Sequence, residues 1–425
     1  MKIAIIGAGI SGLGAALALA DRHDVRVFER DGRLGGHAHT VDVDFADGTQ
    51  WVDTGFIVYN YQNYPNLTGL FEHLDVPTRW SDMSFGFSLN NGALEYACDS
   101  LAKIFAQRWR VADPRFVRTF SEILRFTRVA PKDLREGRLQ GKSLMEWLDE
   151  RRFSTWFRER FLLPMGGAIW STCLADMLHF PAESFVRFFV NHDLMTGLDS
   201  AQRWRTVEGG SRAYVSRLVS RLGPRAMVSR AVRSVDQSGP RPIVHFEDGA
   251  SETFDQVILA CHGPQASAML THQDADQRAA LGAFRTSANR VILHSDPALM
   301  PKRRQVWSSW NFLSNGMAED AERPAQVSYW MNRLQGIRQD RPLFVSLNPV
   351  REPNPALVHR KFSYDHPLFD QASFQAQAAM DAIQGRRGVW FAGAWLGYGF
   401  HEDGLTAGLR VAEALGARPA WAKDT

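Results

Sequence analysis

Gly7, Gly9 and Gly12 stand in G-x-G-x-x-G spacing, immediately after the apolar run Lys2 to Ile6 and at the head of the Ala/Leu-rich stretch Leu13 to Asp21. That pattern is chemistry for a pyrophosphate. Gly7 permits a tight turn, Gly9 lets the backbone come close to the anion, and Gly12 lets the helix pack against the sheet. The helix start, where Ser11 sits, offers N–H groups that the helix itself cannot satisfy. Glu29 follows 22 residues after Gly7, closing the strand-like Val25 to Phe28. Its carboxylate can accept both hydroxyls of a ribose and would repel a 2′-phosphate; with its neighbour Arg30 it is assigned to the cofactor. A lone glycine pattern is weak, but the order strand, glycine turn, helix, strand, acid is that of a dinucleotide site.

An α/β scaffold must hold those residues. Lys2 to Ile6 and Val25 to Phe28 read as parallel strands, and Gly388 to Ala394 as a late strand and tight turn before a small-residue helix, Leu405 to Leu415. Between them, a helix at Arg212 to Leu222 and strands at Ala226 to Val235, Pro242 to Phe246 and Gln256 to Ala260 read as a second piece of the same domain. Helical patterns at i, i+3, i+4 cover Leu101 to Arg108, Pro114 to Arg128 and Ser143 to Arg151. From Leu101 to Leu163 the chain carries 15 Lys+Arg against 8 Asp+Glu, although the whole chain is only +3. Basic helices interleaved with aromatics suit an ordinary solvated face or an anionic membrane surface; no nucleic-acid partner is expected.

Composition narrows the class further. With 425 residues, 45% hydrophobic and 22% charged, the chain is neither disordered nor a disulfide mini-scaffold. Cys98, Cys173 and Cys261 are far apart and outside any CxxC pattern, so no disulfide framework or metal site is expected and a reducing compartment fits. Ile3 to Ala20 is an 18-residue run without a charge, but its Gly and Ser content reads as the glycine loop and helix, not as a signal peptide or an anchor. Trp, at 13, outnumbers Tyr, at 8, which asks for a large apolar cavity or a membrane face. Gly416 to Thr425 reads as a loose tail.

A second glycine pair, Gly35-Gly36, followed by His37, and a D-x-G turn, Asp53-Thr54-Gly55, resemble the FAD-binding pattern of the flavin amine oxidase and phytoene desaturase superfamily. The resemblance implies FAD as cofactor, with Gly35 and Gly36 at its phosphates, Thr54 and Gly55 toward the ribityl and flavin end, and Val232 near the adenine. The family's usual Arg after the pair is His37 here. Gly393 and the run Asp403-Gly404-Leu405 would close the site from the other end of the chain, the final helix turning its N-terminus to the flavin. No second G-x-G-x-x-G occurs, so no nicotinamide domain is expected and the electron acceptor is oxygen, a quinone or another protein. The implied fold is α/β: a Rossmann-like FAD-binding domain of amine oxidase type in three pieces, 1–75, 205–265 and 385–425. An α+β substrate domain interrupts it, helical and basic over 76–204 and sheet-forming over 266–384.

Four interior stretches are narrower in kind: Phe161 to Ser171, Trp307 to Leu313, Tyr329 to Gln335 and Gly397 to Leu405. Together they resemble the flavoprotein domain fused in front of plant cyclopropane fatty acid synthases, and its stand-alone bacterial relatives. That resemblance implies a desaturase or dehydrogenase of methyl-branched acyl chains in phospholipids, working beside a methyltransferase of the cyclopropane-fatty-acid-synthase type. Hydride loss from the branched carbon to flavin N5 leaves a tertiary cation, and loss of a neighbouring proton gives an alkene. Such a site needs aromatic faces and a weak base. Trp170, Trp307, Trp310, Tyr329, Trp330 and Tyr398 are candidate faces, His401 or Glu402 the candidate base, and Tyr59 is expected beside the flavin. Two other readings stay open. One is an amine oxidase acting on a small amine, for which 266–384 offers only Lys302 and Lys361; the other is a non-catalytic flavoprotein that docks a lipid methyltransferase. The expected place is the cytoplasm, peripheral on the inner face of the plasma membrane, with an anionic membrane surface as partner.

Overall fold

Ile3, Ala4, Ile5 and Ile6 are all buried, as an apolar run without alternation requires when both faces of a strand are covered. Their strand, Lys2–Ile6, is the centre of a five-stranded parallel sheet in the order Val389–Phe391, Gln256–Leu259, Lys2–Ile6, Asp24–Phe28, Ala226–Met227. The computed structural model describes residues 1–192, 203–316 and 322–423. Its chain divides into two units. Met1–Arg79, Val207–Thr286 and Pro367–Thr425 form the first, and Trp80–Thr206 with Ser287–His366 form the second.

In the first unit the helices Ile10–Leu19 and His401–Ala414 pack together beside the parallel sheet. A four-stranded sheet holds Ser251–Thr253, Ile243–Phe246, Val232–Asp236 and Leu270–Thr271 in that order. The strand expected over Ala226 to Val235 is broken because Ser229 takes a left-handed φ of 52°, and its two halves join different sheets. Residues 266–286 and 367–384 belong here, not in a substrate domain spanning 266–384. Ala266, Leu281, Phe284, Ala376 and Met380 enter the core formed by Val257, Leu259, Val389 and Phe391, and that shared burial fixes their place. The tail is also pinned as far as residue 423. Lys423 N–H donates to Asn66 Oδ1 at 2.8 Å, and the Trp421 ring stacks against His73; 424 and 425 lie outside the described residues.

The second unit is built on a seven-stranded sheet ordered Val358–Leu368, Arg285–His294, Phe344–Leu347, Gln326–Trp330, Trp310–Ser314, Phe85–Leu89, Leu94–Ala97. Its helical part centres on Pro114–Arg135, Leu144–Glu150 and Ala182–Asn191. Phe126, Trp147, Phe153 and Phe189 interlock there. The buried Asp133 carboxylate accepts from Trp147 Nε1 at 2.9 Å and from Arg151 Nε at 2.7 Å. Leu101 to Arg108 is not one helix: Leu101–Ile104 ends early and a 3-10 turn, Arg108–Ala112, follows. Gln107 explains the break, since its buried side chain donates to the carbonyls of Gly92 and Ala93 and accepts from Glu95 N–H, which holds the backbone off the helical path. No described helix is long and apolar enough to cross a membrane.

Candidate functional site

The first glycine turn is built by close approach. Gly7 has a left-handed φ of 105°, and a Cβ there would lie 2.6 Å from the Ala260 carbonyl oxygen; one on Gly12 would lie 2.0 Å from the Gly7 oxygen. Gly9 is different, because a Cβ on it would meet nothing within 4 Å. Above Gly9 the loop is open, at the N-terminus of helix Ile10–Leu19. The second glycine pair sits directly against this opening: Gly35 N–H donates to the Ala8 carbonyl at 2.8 Å, and a Cβ on Gly36 would come within 2.9 Å of Gly9 Cα. Two backbone turns thus line one cradle. Glu29 stands at its rim, one carboxylate oxygen accepting from Ala8 N–H at 2.9 Å and the other from Asp31 N–H at 3.0 Å.

Arg33 is the residue that motif reading missed. Its Nη1 is buried and has no hydrogen-bond partner, and its charge acts on His39, whose pKa burial and then Arg33 push down to about 4. A buried cationic nitrogen without a partner, in the loop between Glu29 and the glycine pair, matches an anion such as a phosphate. The signal was present: with His37 in the usual Arg position, another cation had to be sought in 30–36. Arg30, assigned to the cofactor from sequence, instead turns outward, 67% exposed and 3.6 Å from Asp31.

The D-x-G turn is zipped to the segment after the glycine pair. Phe56 N–H donates to the His37 carbonyl at 2.8 Å and Thr54 N–H to that of His39 at 2.9 Å; a Cβ on Gly55 would lie 2.1 Å from the His37 oxygen. Asp53 locks the turn from below. Its buried carboxylate accepts from Ser211 N–H at 2.9 Å, Ser211 Oγ at 2.7 Å and Thr40 Oγ1 at 2.6 Å.

Helix His401–Ala414 crosses the first helix through small residues. A Cβ on Gly404 would lie 2.9 Å from Ser11 Oγ, and one on Gly408 2.2 Å from the Ser11 carbonyl oxygen. Leu405, expected at the cofactor, fills the space over Gly14 and is fully buried. The side-chain spaces at Gly404, Leu405 and Ser11 therefore serve the crossing, which sets two helix N-termini side by side. Gly393 leaves room for the Trp395 indole, whose N–H donates to the Cys261 carbonyl at 2.9 Å. Val232 packs half-buried against the core.

The candidate bases are placed as supports. The His401 ring stacks on Phe56 at 3.9 Å, and its Nε2 is hydrogen-bonded to Tyr214 Oη at 2.7 Å; burial pushes its pKa down to about 3. A ring so held is neutral and a poor proton acceptor. Glu402 is also committed: its oxygens accept from Asn66 N–H at 2.8 Å and Leu67 N–H at 2.9 Å, in the first turn of helix Pro65–His73. Burial pushes it up to about 7. Asp403 accepts from Phe400 N–H at 2.8 Å and is pushed up to about 6 by burial. Tyr59 lies in the core among Tyr61, Tyr64 and Phe71, and Tyr398 lies half-buried, 5.9 Å from the Phe374 ring.

The His401 environment has a pH signature. Its folded pKa lies below the ordinary histidine value of about 6.5, so below about pH 6.5 the unfolded chain takes up a proton that the folded chain refuses. Stability is lost as pH falls from there toward 3. Replacing His401 by Gln is expected to flatten the acid limb of denaturation midpoint against pH; an unaltered limb would contradict the buried neutral ring. His39 keeps part of the slope in either protein.

In the second unit the candidate aromatics divide. Trp170 packs in the core against Phe180 and Phe188. Trp307 is buried, donates to the Pro301 carbonyl and meets Trp330 edge-on at 5.4 Å. Trp310 and Tyr329 remain half-buried, directly opposite each other on adjacent strands and in register with Phe85 and Val345. Two residues on, Phe87, Phe312, Val327 and Leu347 continue the same face. Trp310 Nε1 is buried without a partner.

Residues 10–336 match the family model of flavin containing amine oxidoreductases. The chain belongs to that family. A Mycobacterium tuberculosis (strain ATCC 25618 / H37Rv) protein named as a flavin-containing monoamine oxidase, AofH, is 24% identical over 366 residues, 82% of this chain and 70% of that protein. The 15-cis-phytoene desaturase of Synechococcus elongatus (strain ATCC 33912 / PCC 7942 / FACHB-805) is 29% identical over 166 residues, 38% of this chain and 33% of its own. Among solved structures, putrescine oxidase bound to putrescine superimposes with a TM-score of 0.72 at 18% identity, covering 98% of this chain and 99% of that one. A fatty acid isomerase from P. acnes that produces CLA gives 0.68 at 15% identity, covering 98% of each. This member of the family is an FAD-dependent oxidoreductase with a mixed α/β fold. The cradle fits FAD: the opening above Gly9, the backbone of Gly36 and the orphaned Arg33 nitrogen suit the pyrophosphate, and Glu29 suits the ribose. Among the described residues no group of three or more His, Cys, Asp or Glu is placed to hold a metal ion.

Proposed function

We propose that the enzyme is a desaturase of methyl-branched acyl chains in phospholipids. The observation that carries this reading is the row Phe85, Trp310 and Tyr329, three aromatic side chains in register on adjacent strands that stay half-buried, backed by Val345, Phe87, Phe312, Val327 and Leu347, which are packed in the core beneath them without one charged side chain. A hydrocarbon chain has only area to offer a binding site, and such a face takes it by removing that area from water. The names of two relatives, a phytoene desaturase and a fatty acid isomerase, support a hydrocarbon substrate. An amine is less well served, since Lys302 and Lys361 are both exposed.

FAD, when bound, would supply the two-electron acceptor for the hydride of the branched carbon, and the proton lost from the neighbouring carbon passes to solvent, because His401 and Glu402 are committed to Tyr214 and to helix Pro65–His73. The chain's residues exclude water, hold the acyl segment straight and set aromatic faces beside a carbon where positive charge develops. A methyltransferase that adds a carbon to an acyl double bond would supply the branched substrate. Mass spectrometry of recovered acyl chains tests this: methyl-branched phospholipid should lose two hydrogens per turnover. Unchanged acyl masses under conditions where a small amine is oxidised would overturn it. Trp310→Ala should lower kcat/KM for the lipid about 10- to 100-fold, the range of about 1.4 to 2.8 kcal/mol, with FAD content unchanged; an equal rate would remove the sheet face from the substrate path.

A further inference from the structure

Helix Pro114–Arg135 is amphipathic in an unusual way. Phe116, Thr119, Glu122, Phe126, Ala130 and Asp133 face inward, so two of its three-residue complement of acids from 101 to 135 are buried, and the third, Asp113, is largely covered and shared between Arg110 and Arg115. Nine Lys and Arg occupy the same span. The outer face carries Arg118, Arg128, Lys132 and Arg135, all exposed, and between them exposed Val117 and Leu124, one heptad apart. The 3-10 turn just before the helix adds Trp109, 60% exposed with the Arg303 guanidinium 5.6 Å from its ring, and exposed Val111.

We infer that this face docks on an anionic phospholipid bilayer. The charge is complementary, because every exposed ionised side chain on helix Pro114–Arg135 is a cation. The exposed Trp109, Val111, Val117 and Leu124 decide the class of partner. Aliphatic side chains and an indole between arginines enter the headgroup boundary of a bilayer, whereas a nucleic-acid backbone would use the cations alone. The face belongs to the second unit and shares no residue with the cradle at Gly9, so its test does not depend on the substrate assignment.

The holoenzyme is sedimented with vesicles of phosphatidylcholine containing 30 mol% phosphatidylglycerol (roughly a physiological anionic fraction), with pure phosphatidylcholine vesicles, and titrated with a DNA duplex. Binding is expected to the anionic vesicles, weakening as salt rises. Arg118→Ser with Arg128→Ser should weaken it about 10- to 30-fold, at about fivefold per cation. Trp109→Ser with Leu124→Ser should weaken it about tenfold or more, though all four cations of the outer face remain. Both variants alter exposed positions, and unchanged FAD content shows that they fold. Three results would overturn the inference: no sedimentation with anionic vesicles, vesicle affinity insensitive to both pairs of substitutions, or DNA affinity equal to that for the vesicles.

Discussion

Gly9→Val is expected to purify as a folded but colourless protein. The backbone at Gly9 is extended, with φ of −77°, so valine is sterically permitted. A Cβ there meets nothing within 4 Å, so the fold loses no contact. The same empty space is where the two glycine turns and the helix N-terminus converge, so a valine side chain would stand in the pyrophosphate position and keep the anion from the helix N–H groups. Loss of about 4 kcal/mol, roughly a thousandfold in FAD affinity, is expected. Gly12→Val makes the contrast, since its Cβ would fall 2.0 Å from the Gly7 carbonyl oxygen and the turn itself would have to open. Absorbance of the purified protein reads the first and thermal unfolding of the apoprotein the second. Stoichiometric FAD in Gly9→Val would place the pyrophosphate elsewhere.

Asp53→Ala is expected to lower stability by about 3 to 5 kcal/mol, a large part of the 5 to 15 kcal/mol typical of a folded protein. The substitution leaves Ser211 N–H, Ser211 Oγ and Thr40 Oγ1 without their shared acceptor, and Ser211 is buried. Each such group costs about 1 to 3 kcal/mol. Asp53→Asn keeps one acceptor oxygen and should lose less. Urea midpoints at constant m-value measure both, and a change under about 1 kcal/mol for the alanine variant would show that water replaces the carboxylate.

The cofactor cradle was legible where its signal is local. A strand, a glycine turn and a helix write themselves into consecutive residues, and Arg212–Leu222 was readable end to end from its period. Asp53 was not, because its partner Ser211 lies 158 residues away and nothing near either residue announces the pair. His401 stood out as a histidine before a glycine-rich helix, but its ionisation is set by Phe56 and Tyr214 from two other segments. Glu402 likewise turned out to cap helix Pro65–His73. Residues 266–286 and 367–384 read as part of the sheet-forming substrate segment 266–384, whereas their helices Ala275–Gly282 and Gln371–Met380 pack in the first unit, because an apolar stripe does not name the core that will bury it. Arg33 was visible throughout; only its buried, partnerless nitrogen distinguishes it from the arginines around it.

The most direct measurement is anaerobic mixing of the holoenzyme with phospholipid whose acyl chain carries a mid-chain methyl branch, followed at the flavin absorbance band. Desaturation requires that the yellow colour bleach with the branched lipid, persist with the unbranched one, and return on admission of the electron acceptor. Bleaching by small amines with no response to either lipid would make the protein an amine oxidase and remove the acyl-chain assignment.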